Sequence, residues 1–276
     1  MIRWKGSAPL RAALAASLAL AGCGDATGFD VDGLRIYGLD GGNNLVEFGS
    51  RSPDRVRRRP ITGLQEGEIL VGLDFRAADD RLLGVGSSSR LYFIDTDLSA
   101  ATAVAGPFVP SLGGEAFGVS FNPVSDRMRV HGSEGQNLRL DPVGSVAAVD
   151  PPLTYAPGDP GAITTPRITG SAHTIGNPTT LYGIDSNRDA LVVIPSADAG
   201  VALTVGPLGM NTSDDVGFEI TDSREGEIAF VVLSEGRVSR LYRITLSTGE
   251  PKLVGRIATR TPIRSIAIKA HQTDRP

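Results

Sequence analysis

Four polar side chains stand near the middle of short apolar runs that recur along the chain: Asp74, Ser120, Ser171 and Glu219. If these runs are the innermost strands of a closed ring, their side chains face a common axis. A pair of carboxyl groups can act as acid and base on a glycosidic bond, provided that they lie within about 10 Å of each other. Asp74 and Glu219 are therefore the candidate catalytic residues. The alternative is that both are ordinary solvent-facing carboxylates.

A second candidate site lies in the proline-rich segment 151–166, which carries five prolines. Proline and glycine interrupt ladder hydrogen bonding, so the segment is expected to form a loop on the strand scaffold. Tyr155 and Asp159 are its candidate ligand-binding residues, because long loops on rigid scaffolds often contact ligands. A packed Ω-loop that covers one mouth of the ring is the alternative.

Metal and cofactor motifs find little support in the sequence. Residues 185–189 begin like a calcium loop, but Ala190 and Ser196 stand where that loop requires glycine and glutamate, so a tight turn is favoured. The three histidines, His131, His173 and His271, lack zinc-site spacing. No nucleophile elbow, phosphate loop or dinucleotide fingerprint occurs. We therefore expect no metal site and no cofactor.

The N-terminus predicts export and lipidation. Three basic residues, Arg3, Lys5 and Arg11, precede an apolar run over residues 12–21, which is too short to cross a bilayer as a helix. Residues 20–23, Leu-Ala-Gly-Cys, resemble a bacterial lipobox, so Cys23 is the candidate lipidation site. Ordinary cleavage after residue 21, leaving a free thiol, is the alternative. Because Cys23 is the only cysteine, the chain has no internal disulfide.

Charge excludes one class of partner. The chain has 27 basic and 31 acidic residues, and removal of residues 1–22 leaves 24 basic residues and a formal charge of −7. This balance argues against a nucleic-acid ligand. The cluster formed by Arg55 and residues 57–59 is expected on an exposed edge strand, where charge discourages edge pairing. Attraction to anionic lipid headgroups is the second interpretation.

The elements that must position these residues form five copies of one unit. Short β-like runs centred on residues 38, 84, 130, 183 and 231 recur at spacings of 46, 46, 53 and 48 residues. Three further short runs accompany them in most copies, so each repeat holds four strands. The pattern predicts an all-β, five-bladed β-propeller of four-stranded blades, closed by a C-terminal strand at 263–269 that pairs into the first blade. A β-sandwich is the alternative.

Several motifs carry a family resemblance. Residues 121–127 (FNPVSDR), 135–140 (GQNLRL), 155–159 (YAPGD) and 181–185 (LYGID) resemble a family of secreted bacterial proteins catalogued only as a domain of unknown function. The resemblance extends from about residue 36 to residue 256. It implies a propeller-like fold and a location outside the cytoplasm, and it supplies no catalytic residue.

Taken together, these patterns predict a signal peptide (1–22), a lipidated tether (23–33), one propeller domain (34–270) and a short tail (271–276). The expected protein is a monomeric lipoprotein of the bacterial cell envelope, anchored to a membrane through its N-terminal lipid. Its expected role is to bind or scaffold a protein or carbohydrate ligand. The alternative is a glycan-directed hydrolase or lyase that uses the channel carboxylates.

Overall fold

The structure is a computed structural model that describes Met1, residues 29–223 and residues 226–270. These residues form five sheets with antiparallel four-stranded cores, which we call blades 1 to 5. The innermost strands of blades 2, 3, 4, 5 and 1 are, in that order, β4 (Leu70–Arg76), β8 (Phe117–Asn122), β13 (Ile168–His173), β17 (Val216–Ser223) and β21 (Ile263–Ala267). The predicted all-β, five-bladed propeller is confirmed.

Each blade continues outwards through three more strands. The second strands are β1 (Arg35–Asp40), β5 (Arg81–Gly86), β9 (Arg127–Gly132), β14 (Leu181–Asp185) and β18 (Gly226–Glu235). The third strands are β2 (Asn44–Gly49), β6 (Arg90–Asp95), β10 (Asn137–Leu140), β15 (Ala190–Ser196) and β19 (Val238–Ile244). The fourth are β3 (Val56–Pro60), β7 (Ala100–Ala103), β11 (Ala147–Val149), β16 (Val201–Pro207) and β20 (Pro251–Arg256).

The last strand closes the ring as predicted. β21 pairs with β1 in the register Tyr37↔Ala267, Gly38↔Ile266 and Leu39↔Ser265, so blade 1 is built from both ends of the described chain. This pairing removes an open edge and joins segments more than 200 residues apart. Apolar side chains from adjacent blades then pack between the sheets, as in the cluster of Leu34, Phe48 and Phe230.

Glycines set how closely the innermost strands approach. A Cβ atom on Gly72 would lie 2.4 Å from the side chain of Val119, and one on Gly118 would lie 2.2 Å from Oγ of Ser171. Gly170 and Gly217 make the same approach to the next innermost strand. Because no larger side chain fits these positions, the four glycines allow a narrow channel and fix which residues surround it.

The outer edges of the blades differ from one another. In blades 2, 3 and 4 the crossover that leads into the blade returns to cover its outermost strand in parallel, through Thr62, through Val109 and through β12 (Thr154–Tyr155). The crossovers 208–215 and 257–262 are the two shortest of the five. Across the described ranges, no backbone segment pairs with the outer edge of β20 or β3.

Candidate functional site

In four of the innermost strands, the residue two positions after the close-packed glycine faces the channel, and these residues lie at the same height along it. These residues are Asp74, Ser120, Ala172 and Glu219. Ser171, which the sequence grouped with the other three, does not share this level, because Gly170 is the glycine of β13. Its Oγ lies 2.9 Å from Nδ1 of His131. A shift of one residue moves a strand side chain to the other face, so Ser171 points between blades.

The channel side chains hold neighbouring innermost strands together. Oδ2 of Asp74 accepts the amide of Phe121 at 2.6 Å, and Oγ of Ser120 accepts the amide of His173 at 3.0 Å. At the junction between β21 and β4, Oγ of Ser265 accepts the amide of Leu73 at 3.1 Å. The inner edge of such a ring has no further strand, so its amides would otherwise lack partners. Asp74, Ser120 and Ser265 therefore cap three of the five junctions between innermost strands.

Glu219 caps a fourth junction by accepting the amide of Ile268, and it also accepts the amide of Ile220 at 2.9 Å. The fifth junction, between β13 and β17, has the small Ala172 at the equivalent position. There Glu227 accepts the amide of Ile175 at 2.7 Å instead. The polar channel wall thus has a structural role at four of the five junctions, and at the fifth the exposed Glu227 of β18 takes this role.

The carboxyl groups of Asp74 and Glu219 hydrogen-bond to each other across the channel. Burial raises the pKa of Asp74 to about 6. Burial, followed by the charge of Asp74, raises the pKa of Glu219 well above its usual range. Ionisation of both carboxyl groups at hydrogen-bond distance costs free energy because the two negative charges repel. The pair therefore holds a shared proton near neutral pH.

Two buried histidines are neutral, and one of them, His173, lines the same cavity as this pair. Nδ1 of His173 lies 2.8 Å from Oγ of Ser120, and burial, followed by the charge of Arg129, lowers its pKa to about 3. Burial likewise lowers the pKa of His131 to about 3, and its Nε2 has no hydrogen-bond partner among the described residues. Neither imidazole is protonated at neutral pH. His271 lies outside the described residues.

The space beside the carboxyl pair is small. Asp74, Phe121, His173, Glu219 and Ile268 are among the residues that line a cavity of about 30 Å³ where the innermost strands end. This volume holds about two water molecules, whereas ligand pockets measure about 300–1,000 Å³. The pair can therefore exchange protons with water in this conformation, but it cannot contact a sugar ring.

Tyr155 and Asp159 are both engaged in internal contacts. The hydroxyl of Tyr155 donates to Asp185 at 2.6 Å, and the guanidinium of Arg188 lies 4.9 Å from its ring centre. Asp159 accepts the amide and the hydroxyl of Thr204 at 2.7 Å each. These bonds anchor the proline-rich segment to blade 4. Exposed surface in this segment comes instead from neighbouring residues such as Ile163, which is 97% exposed.

The arginines of blade 1 lie on and beside β3, where the sequence predicted an outermost strand. Arg57 forms a salt bridge with the buried Glu47, and Arg58 bonds Asp40 at 2.7 Å. Arg59 donates to the carbonyl groups of residues 96 and 97 in blade 2. Three of the four arginines thus stabilise the fold, which reduces the charge available to lipid headgroups.

A surface groove on blade 5 was not anticipated from the sequence. It has a volume of about 620 Å³ and lies where β18 begins and β19 ends. Arg243 and Lys252, both exposed, face each other directly across β19 and β20 and line this groove. Neither forms a salt bridge within residues 29–223 and 226–270. Only the strand register shows that two cations nine positions apart are cross-strand neighbours.

Three further observations concern the sequence predictions. Cys23 lies outside the described residues, as do the rest of residues 2–28. Within the described part of the chain, no grouping of three or more histidine, cysteine, aspartate or glutamate side chains could hold a metal ion. No helix there is both long enough and apolar enough to cross a bilayer.

The fold and the channel define a class of protein, the closed five-bladed β-propeller with a narrow polar channel. The chain belongs to the family described as Domain of unknown function (DUF4394), whose model matches residues 44–267. The resemblance found in the sequence motifs is therefore confirmed at the level of the family. A search of curated proteins finds no significant match.

Solved structures resemble this chain at low sequence identity, and one of them has a TM-score above 0.5. A protein of unknown function from Bacteroides thetaiotaomicron aligns with a TM-score of 0.52 and 14% identity, over 86% of this chain and 64% of that one. This chain therefore spans less than two thirds of that protein. TolB from Acinetobacter baumannii (TM-score 0.47, 12% identity, 86% and 67% coverage) and the Malassezia sympodialis allergen Mala s 1 (0.46, 12%, 82% and 77%) are more distant. These likenesses concern the fold alone.

Proposed function

We propose that this protein is an exported, lipid-anchored propeller of the bacterial cell envelope that binds or scaffolds a protein or carbohydrate ligand without chemical turnover. The observation that favours binding over turnover is that the channel carboxyl groups are engaged in structural contacts. Asp74 and Glu219 bond to each other and to backbone amides beside a cavity of about 30 Å³. Groups engaged in this way hold strands together and leave no room for a substrate.

The export and anchoring part of the proposal is supported by the N-terminal sequence. Basic residues, a short apolar run and the Leu-Ala-Gly-Cys motif occur in the order expected of a lipoprotein signal. Lipidation at Cys23 would place Phe29 and the start of the propeller close to a membrane, because only residues 24–28 separate Cys23 from Phe29.

A glycan-directed hydrolase or lyase is the second candidate. It is favoured by the buried acid pair, because strongly raised carboxyl pKa values occur at many active sites. The geometry is unfavourable, however. Glycosidase carboxyl groups stand about 5–9.5 Å apart with substrate or water between them, and the hydrogen-bonded pair here is closer than that. Catalysis would require the channel mouth to open.

The binding role is tested by a dye-based thermal-shift screen of the purified protein against cell-wall and plant-type glycans, followed by mass spectrometry of the incubated glycans. A ligand at about 100 times its Kd adds about 2.7 kcal/mol to the free energy of unfolding. We expect any stabilising glycan to be recovered intact. Cleavage by the wild type that is lost in Asp74→Asn would replace this proposal with the hydrolase.

The anchor is tested by producing the full chain in a bacterium that is fed an alkyne-labelled fatty acid. We expect label on the wild-type protein and its recovery with membranes, while Cys23→Ser should remain unlabelled and leave the membrane fraction. Equal labelling of both proteins would contradict lipidation at Cys23.

A further inference from the structure

Blade 5 has two directly opposed pairs of like charges, and Arg240 of one pair forms a salt bridge with Glu235, whereas the groove pair has no salt bridge within the described residues. Arg243 and Lys252 occupy directly opposed positions of an antiparallel pair, where like charges destabilise a sheet. The backbone register sets this pairing: the amide of Thr245 bonds the carbonyl of Glu250, so alternation places Arg243 and Lys252 in the next hydrogen-bonded pair. The one carboxylate that lines the groove, Glu227, accepts the amides of residues 175 and 176. An external anion would relieve the repulsion.

The strand that carries Lys252 also lacks an outer neighbour. Blades 2, 3 and 4 each cover their outermost strand with a short parallel segment, whereas in the described chain β20 has none. The same alternation directs the amide of Leu253 towards this open edge. Leu253 is 57% exposed and lines the groove beside the two cations. Backbone donors, an apolar side chain and positive charge therefore meet at one edge.

Features of β20 restrict which strand could pair there. Pro251 has no amide to donate, and Lys252 places a charge on the edge. Both features discourage pairing of β20 with an uncharged strand. A partner with a carboxylate opposite the cations gains an ion pair that a neutral strand does not, so the edge discriminates by charge.

We propose that the groove and open edge of blade 5 bind an extended, acidic peptide segment of a partner protein, which adds to β20 as a parallel fifth strand and places a carboxylate between Arg243 and Lys252. The arrangement of β12 in blade 4 shows how a segment in this position pairs, with Thr154 opposite Val201 and Tyr155 opposite Ala202. Main-chain bonds supply affinity in this mode, and the charged and apolar side chains supply specificity. This inference rests on the proposed binding function and names the class of ligand.

The test measures fluorescence anisotropy of labelled, end-capped octapeptides titrated with the purified protein. One peptide alternates valine with glutamate, a second replaces glutamate with glutamine, and a third keeps glutamate but is N-methylated at alternate residues. We expect the first peptide to bind and the other two to bind about tenfold more weakly, because they lack the charge and the backbone donors respectively. Equal binding of all three would overturn the proposal.

Matched variants locate the site. Arg243→Gln/Lys252→Gln should weaken binding of the valine–glutamate peptide about tenfold. Arg240→Gln/Arg256→Gln removes the same charge from another directly opposed pair of the same two strands, on the other face of the blade. That control should bind within about twofold of the wild type. Equal losses in the two variants would indicate unspecific attraction and would overturn the proposal.

A final arm separates this inference from the proposed function. Oligogalacturonate is an acidic chain with no amide backbone, and it is titrated in the same assay. If it binds in an Arg243-dependent way and the peptides do not, the peptide proposal fails while the binding function stands. If no peptide binds and the protein instead cleaves glycans in an Asp74-dependent way, the proposed function fails as well.

Discussion

The channel wall and the groove of blade 5 each contain a pair of like charges, and the protein deals with them differently. Asp74 and Glu219 are buried, share a proton and accept amides from neighbouring strands. Arg243 and Lys252 are exposed and have no acidic partner within residues 29–223 and 226–270. A carboxyl pair can resolve its repulsion by keeping a proton, whereas arginine and lysine stay charged near neutral pH. The channel pair therefore relieves its charge repulsion without a ligand, whereas no group of the described residues relieves the repulsion of the groove pair.

If the channel wall is structural, opening the ring should have the largest effect. Deletion of residues 262–276 removes β21, the cap that Ser265 makes on Leu73 and the amide that Glu219 accepts. We expect loss of the cooperative melting transition in circular dichroism. Deletion of 271–276 alone keeps β21 and serves as the control. An unchanged melting temperature in the longer truncation would show that ring closure does not stabilise the fold.

Loss of a single side-chain cap should destabilise the fold less than deletion of β21. Asp74→Ala leaves the buried amide of Phe121 without its acceptor and removes the partner of Glu219. We expect a loss of about 2–3 kcal/mol in the free energy of unfolding. This corresponds to roughly 4–12 °C in melting temperature for a domain of this size. Asp74→Asn keeps an acceptor oxygen and should lose less. Equal melting temperatures for wild type and Asp74→Ala would contradict the capping role.

The shared proton makes stability depend on pH. The pKa of Asp74 is raised to about 6 and that of Glu219 is raised well above its usual range, so the folded protein keeps protons that the unfolded chain releases near pH 4. This contribution is complete below about pH 4 and is lost as pH rises through 6, by up to about 1.4 kcal/mol per pH unit for each proton. Asp74→Asn/Glu219→Gln should flatten the fall in melting temperature between pH 5 and 8.

The contribution of the two histidines to stability depends on pH with the opposite sign, which provides an internal check. The pKa values of His131 and His173 are lowered to about 3, so their contribution is complete above about pH 6.5 and is lost as pH falls towards 3. The loss of stability as pH falls from about 6.5 towards 3 should therefore persist in the Asp74→Asn/Glu219→Gln variant. A variant that keeps the wild-type slope above pH 5 would show that the carboxyl pair does not carry the shared proton.

The groove pair should give the smallest effect on stability. Arg243→Gln/Lys252→Gln removes a repulsion at the surface, so the free energy of unfolding in urea should stay within about 0.5 kcal/mol of the wild type. Binding of the acidic peptide should fall in the same variant. A large loss of stability instead would mean that these cations support the fold, and the contrast with the channel would disappear.

The sequence predicted the blades well because each repeats the same alternation of apolar and polar residues. The runs centred on residues 38, 84, 130, 183 and 231 became the second strands of the five blades, and β21 closed the ring as expected. Prediction of the candidate site was less complete. Asp74 and Glu219 were found, but Ser171 was placed on the channel, because a β-bulge between Ile168 and Gly170 makes the register of β13 hard to infer from spacing.

By itself, the sequence determined how many blades form and which strand closes them, because hydrophobic periodicity and turn residues act locally. Only the tertiary structure decided which side chains meet. Asp74 and Glu219 come from blades 2 and 5, and their contact depends on how closely four glycines let the strands approach. Arg243 and Lys252 face each other because of strand register, and no backbone segment of the described residues pairs with the outer edge of β20. Proton sharing, burial and edge exposure arise from these long-range distances, which no local pattern encodes.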